Sequence, residues 1–202
     1  MMAKVCGLTT APDVAAALAA GADLAGFLHH PASPRHCRDL ALAAAAGERA
    51  VLVAVTPDAD QLLDLVRRSG APWVQPYLPA PERERALALL RGEGRRVLLP
   101  WPDQPGQEAL EADLYLWEAS PAATGLLGGS GRGHAQAFPP PGPFLLAGGL
   151  HAAVLAERLE RLRAPVRALC RGFDAASRLE SASGRKDPVR IQAFVRQAHD
   201  LE

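Results

Sequence analysis

The feature that most constrains the fold of this chain is a rhythm. Short apolar runs alternate with stretches of helical composition about every 25 residues, and eight strand-like runs fit within the 202 residues. The runs are Lys4–Cys6, Leu24–Leu28, Val51–Val55, Trp73–Gln75, Arg96–Leu99, Leu114–Trp117, Phe144–Ala147 and a last one at Val166–Cys170 or slightly beyond. Val51–Val55 is apolar without interruption, as expected of a strand in a parallel sheet covered on both faces. The alternation favours a (β/α)8 TIM barrel; an open doubly wound sheet shares the same periodicity. Such barrels usually run to about 250 residues but can be built from about 200, so this one is expected to be compact. No linker divides the chain, and a single domain spanning 1–202 is the expectation.

The intervening segments carry helix signals. Thr10 is placed to cap a helix over Val14–Ala20, with Asp13 three residues on and Gly21 as a stop. Arg38–Gly47 reads as a second helix. Pro57 and Asp58 start a third, with Leu62, Leu63, Leu65 and Val66 near helical spacing and Gly70 at its end. Pro81–Arg91 is a fourth, Gln107–Glu111 a short one, and Ala152–Leu162 another. The last starts near Asp187, with Pro188 in its first turn and Ile191, Phe194, Val195 and Ala198 on one face. The stretch from Ala119 to Pro143 is rich in Gly and Pro, so the sixth helix is expected to be short or missing.

Composition narrows the partners. Acidic and basic residues number 22 each, which gives no global field to draw nucleic acid or an anionic membrane. The three cysteines, Cys6, Cys37 and Cys170, form no CxxC pair, and the six histidines show no HxH or HExxH spacing. No metal site or disulfide framework is expected, and a reducing, cytoplasmic setting fits. No apolar run approaches membrane-spanning length, and no secretory signal is expected at the N-terminus.

Barrel enzymes keep their chemistry at the C-terminal ends of the strands. Here Cys6 ends the first strand and Glu118 ends the sixth. A thiolate is a competent base when nearby positive charge lowers its pKa, and a carboxyl group of raised pKa can donate a proton. The plainer readings are a buried apolar thiol and a solvent-facing carboxylate. The Gly-rich Gly128-Gly129-Ser130-Gly131 allows close backbone approach to a ligand, or is simply a turn.

Taken together, Lys4-Val5-Cys6-Gly7-Leu8-Thr9, then Gly21-Ala22-Asp23-Leu24-Ala25-Gly26-Phe27, then Ser33-Pro34-Arg35, closely resemble the opening of the phosphoribosylanthranilate isomerase family. Those enzymes carry out an Amadori-type rearrangement in tryptophan biosynthesis. The likeness continues through Gly129-Ser130-Gly131, Leu146-Ala147-Gly148-Gly149-Leu150 and Lys186-Asp187. The resemblance implies a cofactor-free enzyme that isomerises N-(phosphoribosyl)anthranilate, a small phosphorylated molecule, as a monomer or homodimer. It implies Cys6 as general base, Glu118 as general acid, and Arg35 facing the anthranilate carboxylate. It also implies that Gly129, Ser130, Gly131, Gly148, Gly149 and Ser177 hold the phosphate, with Gln75 and Asp174 in the substrate site.

The chain also departs from the family pattern. The family's strand-six aspartate is Glu118 here, one methylene longer. Its Q-L-H-G after strand four is Gln75-Pro76-Tyr77-Leu78, so the His is lost. In the eighth loop Ala176 and Arg178 replace a Ser and a Gly, while Asp174, Ser177, Glu180, Gly184, Lys186 and Asp187 remain. Two other readings therefore stand beside the first: an isomerase or epimerase of a different phosphorylated sugar, and a degenerate, non-catalytic barrel.

Overall fold

The computed structural model describes residues 1–119 and 135–201. Its eight main strands, β1 (Met2–Cys6), β2 (Leu24–His29), β3 (Ala50–Val55), β4 (Trp73–Tyr77), β5 (Arg96–Pro102), β6 (Leu114–Glu118), β7 (Phe144–Leu146) and β8 (Cys170–Ala175), pair in parallel and in chain order. β8 returns to β1, which closes the barrel. The structure is thus the (β/α)8 barrel that the rhythm of the sequence favours.

Each strand sends alternate side chains to opposite faces, and this divides the apolar residues into two sets. Ala50, Leu52 and Ala54 of β3 join the layer between barrel and helices, with Phe27, Phe144, Phe173 and Trp117. Val51 and Val53 point the other way and pack with Leu24, Leu98, Leu114, Leu116 and Leu145 inside the barrel. On β1 the same alternation turns Met2, Lys4 and Cys6 inward and Ala3 and Val5 outward. At one end of the interior the Arg96 guanidinium lies over the Trp73 ring, 4.5 Å from its centroid.

The helices follow local chemistry. α1 (Ala11–Ala19) is capped by Thr10, whose hydroxyl accepts from the Asp13 amide at 3.3 Å. α3 (Ala59–Ser69), which follows the short α2 (Ala43–Ala46), is capped by Asp58 and ends at Gly70 in the left-handed conformation. α4 (Ala80–Gly92) covers the next crossover. α5 (Leu155–Glu160) and α6 (Ala164–Arg167) lie between β7 and β8, and α7 (Pro188–His199) packs across β1 and α1.

Several expectations need correction. Arg38–Gly47 forms one turn of α-helix flanked by 3-10 turns rather than one continuous helix. Gln107–Glu111 is not helical. Ala152–Leu162 is a 3-10 turn followed by the six-residue α5. The eighth strand lies past the apolar Val166 stretch, at Cys170–Ala175, because Pro165 sits in the first turn of α6 and starts a helix there. Residues 135–143 contain no helix; the rest of the expected β6–β7 loop, including Gly128–Gly131, lies outside the described residues.

β8 can pair with β1 only because position 172 lacks a side chain. A Cβ on Gly172 would lie 2.0 Å from the Met2 carbonyl oxygen. Gly172→Ala is therefore expected to cost about 1–3 kcal/mol or more, read as a lower denaturant midpoint. Gly92→Ala, where a Cβ meets nothing within 4 Å, should leave the midpoint unchanged or raise it.

Candidate active site

At the C-terminal mouth of the barrel, inward-facing side chains from β1, β4, β6 and β8 form a polar group above the apolar interior. Lys4 is fully buried, and its ammonium donates to Asp174 Oδ1 at 2.6 Å across the β1–β8 pairing. Burial alone would lower the pKa of this lysine. The Asp174 carboxylate, with Cys6 beside it, outweighs that and holds the ammonium charged.

Cys6 follows Lys4 on the same face, half-buried at the end of β1. Burial, with the Asp174 carboxylate nearby, holds its thiol pKa above the usual value, and the charges of Lys4 and Lys186 offset this only in part. Space for the sulfur is provided by Gly26, its register partner on β2. A Cβ there would lie 2.9 Å from Cys6 Sγ and 3.1 Å from Cys6 Cα.

Glu118 is 5% exposed at the end of β6. Burial pushes its carboxyl up to about 7, against the hydrogen bond from Tyr77, which favours the charged form. Tyr77 Oη donates to Glu118 Oε1 at 2.9 Å and accepts from Gln75 Nε2 at 2.9 Å. Burial, with Glu118 close by, raises the phenol pKa well above its usual value, so Tyr77 stays a neutral donor. Gln75 is buried at 2% exposure, and its Oε1 has no partner among the described residues. A carboxyl with a raised folded-state pKa contributes stability at acid pH that is lost as pH rises through about 7.

The two sides of the mouth differ. Over β1, β2 and β8 the rim is closed by an ion cluster. Arg35 grips Glu180 with two nitrogens, Nε at 2.5 Å and Nη2 at 3.0 Å, and Lys186 Nζ reaches the same carboxylate at 3.0 Å. Arg35 and Lys186 hold the Glu180 pKa below its usual range even though burial opposes them. Glu180 and Lys186 belong to a small hairpin, β9 (Glu180–Ala182) and β10 (Arg185–Lys186). Its tip rests on the loop after β2, where a Cβ on Gly184 would lie 2.4 Å from the Pro34 carbonyl oxygen. On the other side, toward β3–β6, a cavity of about 540 Å³ opens with Tyr77 and Glu118 in its lining.

Of the residues singled out from sequence, the structure gathers Cys6, Gln75, Glu118 and Asp174 at the mouth. Gly148 and Gly149 follow β7 with φ of 96° and 69°, a conformation glycine tolerates, and Ser177 begins the turn after β8. Arg35 is engaged by Glu180. Gly129, Ser130 and Gly131 lie outside the described residues. Sequence reasoning missed Lys4 and Tyr77. Lys4 was legible as the one charge in an apolar strand, two residues before Cys6 and so on its face. Among the described residues, no three His, Cys, Asp or Glu are grouped to hold a metal ion, and no helix is long and apolar enough to cross a membrane.

Fold and site define a (β/α)8-barrel protein with a thiol and a raised-pKa carboxyl at the catalytic end. No family model matches the chain. Curated relatives named N-(5'-phosphoribosyl)anthranilate isomerase include one from Rhodopseudomonas palustris, 37% identical over 96% of both chains. Another, from Azorhizobium caulinodans, is 36% identical over 96% of this chain and 89% of its own. Among solved structures, TrpF from Jonesia denitrificans superposes with a TM-score of 0.76 at 31% identity, covering 98% of this chain and 97% of that one. The phosphoribosyl anthranilate isomerase of Thermus thermophilus shares the fold, with a TM-score of 0.78 at 24% identity and full coverage of both chains. The chain belongs to the N-(5'-phosphoribosyl)anthranilate isomerase family.

Tyr77→Phe removes the hydrogen bond that favours the charged form of Glu118. The carboxyl pKa is expected to rise further, by about one unit, measured by carbon-13 NMR of the side-chain carboxyl.

Proposed function

We propose that this barrel isomerises N-(phosphoribosyl)anthranilate to the corresponding carboxyphenylamino-deoxyribulose phosphate, a step of tryptophan biosynthesis, with Cys6 as general base and Glu118 as general acid. The observation that carries this reading is the inward placement of these two residues at the ends of β1 and β6, with Lys4 charged beside one and Tyr77 bonded to the other. Family membership supports it.

The rearrangement is proton transfer with ring opening, so the residues present supply the chemistry without a cofactor. Glu118, part-protonated near neutral pH, gives its proton to the furanose ring oxygen as the C1–O bond breaks. The anilinic nitrogen lone pair closes the C1=N bond of the iminium. Cys6, as thiolate, then takes the C2 proton, and the electrons of that C–H bond form the enolamine. Ketonisation moves the hydroxyl proton of C2 out and places one on C1. The lysine charges near Cys6 favour the thiolate that this step requires. Tyr77 orients the Glu118 carboxyl, which is one methylene longer than the family's aspartate, and Gln75 orients Tyr77.

Gly148, Gly149 and Ser177 sit in the loops after β7 and β8, where barrels commonly hold a phosphate, and we assign the substrate phosphate to them, together with Gly129, Ser130 and Gly131. Asp174 holds Lys4 in place beneath the substrate. The protein is proposed to work in the cytoplasm as a monomer or homodimer on this small phosphorylated molecule, with no nucleic-acid or membrane partner.

The test follows anthranilate fluorescence after mixing with freshly prepared N-(phosphoribosyl)anthranilate. Cys6→Ser and Glu118→Gln are each expected to lower kcat by about 10²–10⁴. Glu118→Asp, which withdraws the carboxyl from Tyr77, should cost about a hundredfold. Because Glu118 must be protonated and the Cys6 thiol, held above its usual pKa, must be ionised, kcat/KM should rise with pH up to about 7, level off there as Glu118 loses its proton, and fall only once the thiol is fully ionised. Wild-type rates in Cys6→Ser would overturn the base assignment, and an inactive wild type would overturn the reading as a whole.

A further inference from the structure

Gln75 is costly where it sits. It lies on the inward face of β4, two residues before Tyr77 and in register with Val53 of β3, at 2% exposure. Its Nε2 donates to Tyr77 Oη at 2.9 Å, and its Oε1 is sealed from solvent with no partner among the described residues. A leucine or methionine would fill the barrel interior without orphaning a polar atom. The bonded half of the amide must therefore supply something that an apolar side chain cannot.

Donor counting shows what that is. A phenol has one proton to donate and lone pairs with which to accept. Tyr77 Oη donates to Glu118 Oε1 at 2.9 Å and accepts from Gln75 Nε2. With Gln75 as the incoming donor, the Tyr77 proton is turned onto Glu118. Glu118 Oε1 is then an acceptor, and a neutral Glu118 carries its own proton on Oε2. Oε2 makes no hydrogen bond among the described residues and is not among the polar atoms sealed off from the cavity that Glu118 lines. Without the Gln75 donor, a neutral Glu118 is free to donate to Tyr77 Oη instead, which turns its proton away from the cavity.

We infer that Gln75 sets the direction of a hydrogen-bonded relay, from Gln75 to Tyr77 to Glu118, that keeps the acid proton of Glu118 on Oε2, facing the substrate. This rests on the assignment of Glu118 as the general acid. Gln75 acts at one remove from the reacting atoms and is a positioning residue that works through Tyr77. As the ring oxygen takes the proton from Oε2, the Tyr77 bond already in place on Oε1 stabilises the carboxylate left behind.

The test is a double-mutant cycle. Gln75→Met and Gln75→Leu are made alone and together with Tyr77→Phe, and each protein is assayed at neutral pH for turnover of N-(phosphoribosyl)anthranilate. The Glu118 pKa is followed by carbon-13 NMR of the side-chain carboxyl, its signal assigned by its loss in Glu118→Gln. Asp174 and Lys4, the other charges acting on Glu118, stay in place throughout. Alone, either substitution at position 75 is expected to lower kcat about three- to tenfold with KM unchanged. It should raise the Glu118 pKa at the same time, because the protonated form gains Tyr77 Oη as an acceptor. A rate that falls while more of the acid is protonated marks a misdirected proton, a signature that lost packing would not give. In the Tyr77→Phe background both effects should vanish. If substitution at position 75 costs as much in that background, or leaves the Glu118 pKa where it was, the relay is overturned. Failure of the isomerase reading would appear separately, as a wild type without turnover, and the NMR measurement reads the relay even then.

Discussion

The ion pair between Lys4 and Asp174 sets the terms for the rest of the mouth. An ammonium with no solvent exposure is tolerable only with a carboxylate in contact, because desolvation of an unpaired charge costs several kcal/mol. The pair bridges β1 and β8, the two strands that close the barrel, so the closure and the charge are one device. Once fixed, that charge lies beside Cys6, on the same face of β1 and one register step along. The two members of the pair act on the Cys6 thiol in opposite senses, Lys4 favouring the thiolate and Asp174 opposing it.

Charge and space are distributed unequally around the mouth. On the β1, β2 and β8 side, Glu180 gathers Arg35 and Lys186, and the hairpin tip packs tightly on the Pro34 backbone. On the β3–β6 side, proline and leucine side chains leave a cavity open to the Glu118–Tyr77 pair. The prolines in that wall have no backbone N–H to donate into it and a fixed φ.

Two departures from the family pattern belong together in space. In the chain, the change of aspartate to glutamate at 118 and the loss of histidine at 77 stand 41 residues apart. In the fold, β4 and β6 bring Tyr77 Oη to Glu118 Oε1, so the longer carboxyl has a phenol to hold it. Cys6 and Glu118 were legible in sequence because the barrel rule places strand-end residues at the mouth without knowledge of packing, whereas Gln75 and Asp174 were reached only through the family resemblance. The eighth strand was misplaced because Val166–Cys170 is more apolar than Cys170–Ala175, and apolarity outweighed the helix start that Pro165 provides. Gln107–Glu111 had helical composition but no capping residue or apolar face to hold it, and tertiary context left it irregular.

By itself the sequence determined the order and number of the barrel strands and that Cys6 and Glu118 stand at the ends of the first and sixth. These follow from periodicity and turn chemistry, local properties that survive translation along the chain. Only the tertiary structure decided which charges meet. Lys4 with Asp174, Arg35 with Glu180 and Tyr77 with Glu118 are pairs separated by 170, 145 and 41 positions. Whether an arginine is occupied or open depends on such long-range partners, because electrostatic contacts act within a few ångströms and carry no periodic trace in sequence. That is why Arg35 stood out in the chain as part of a motif while its engagement by Glu180, 145 positions on, became visible only when the barrel closed.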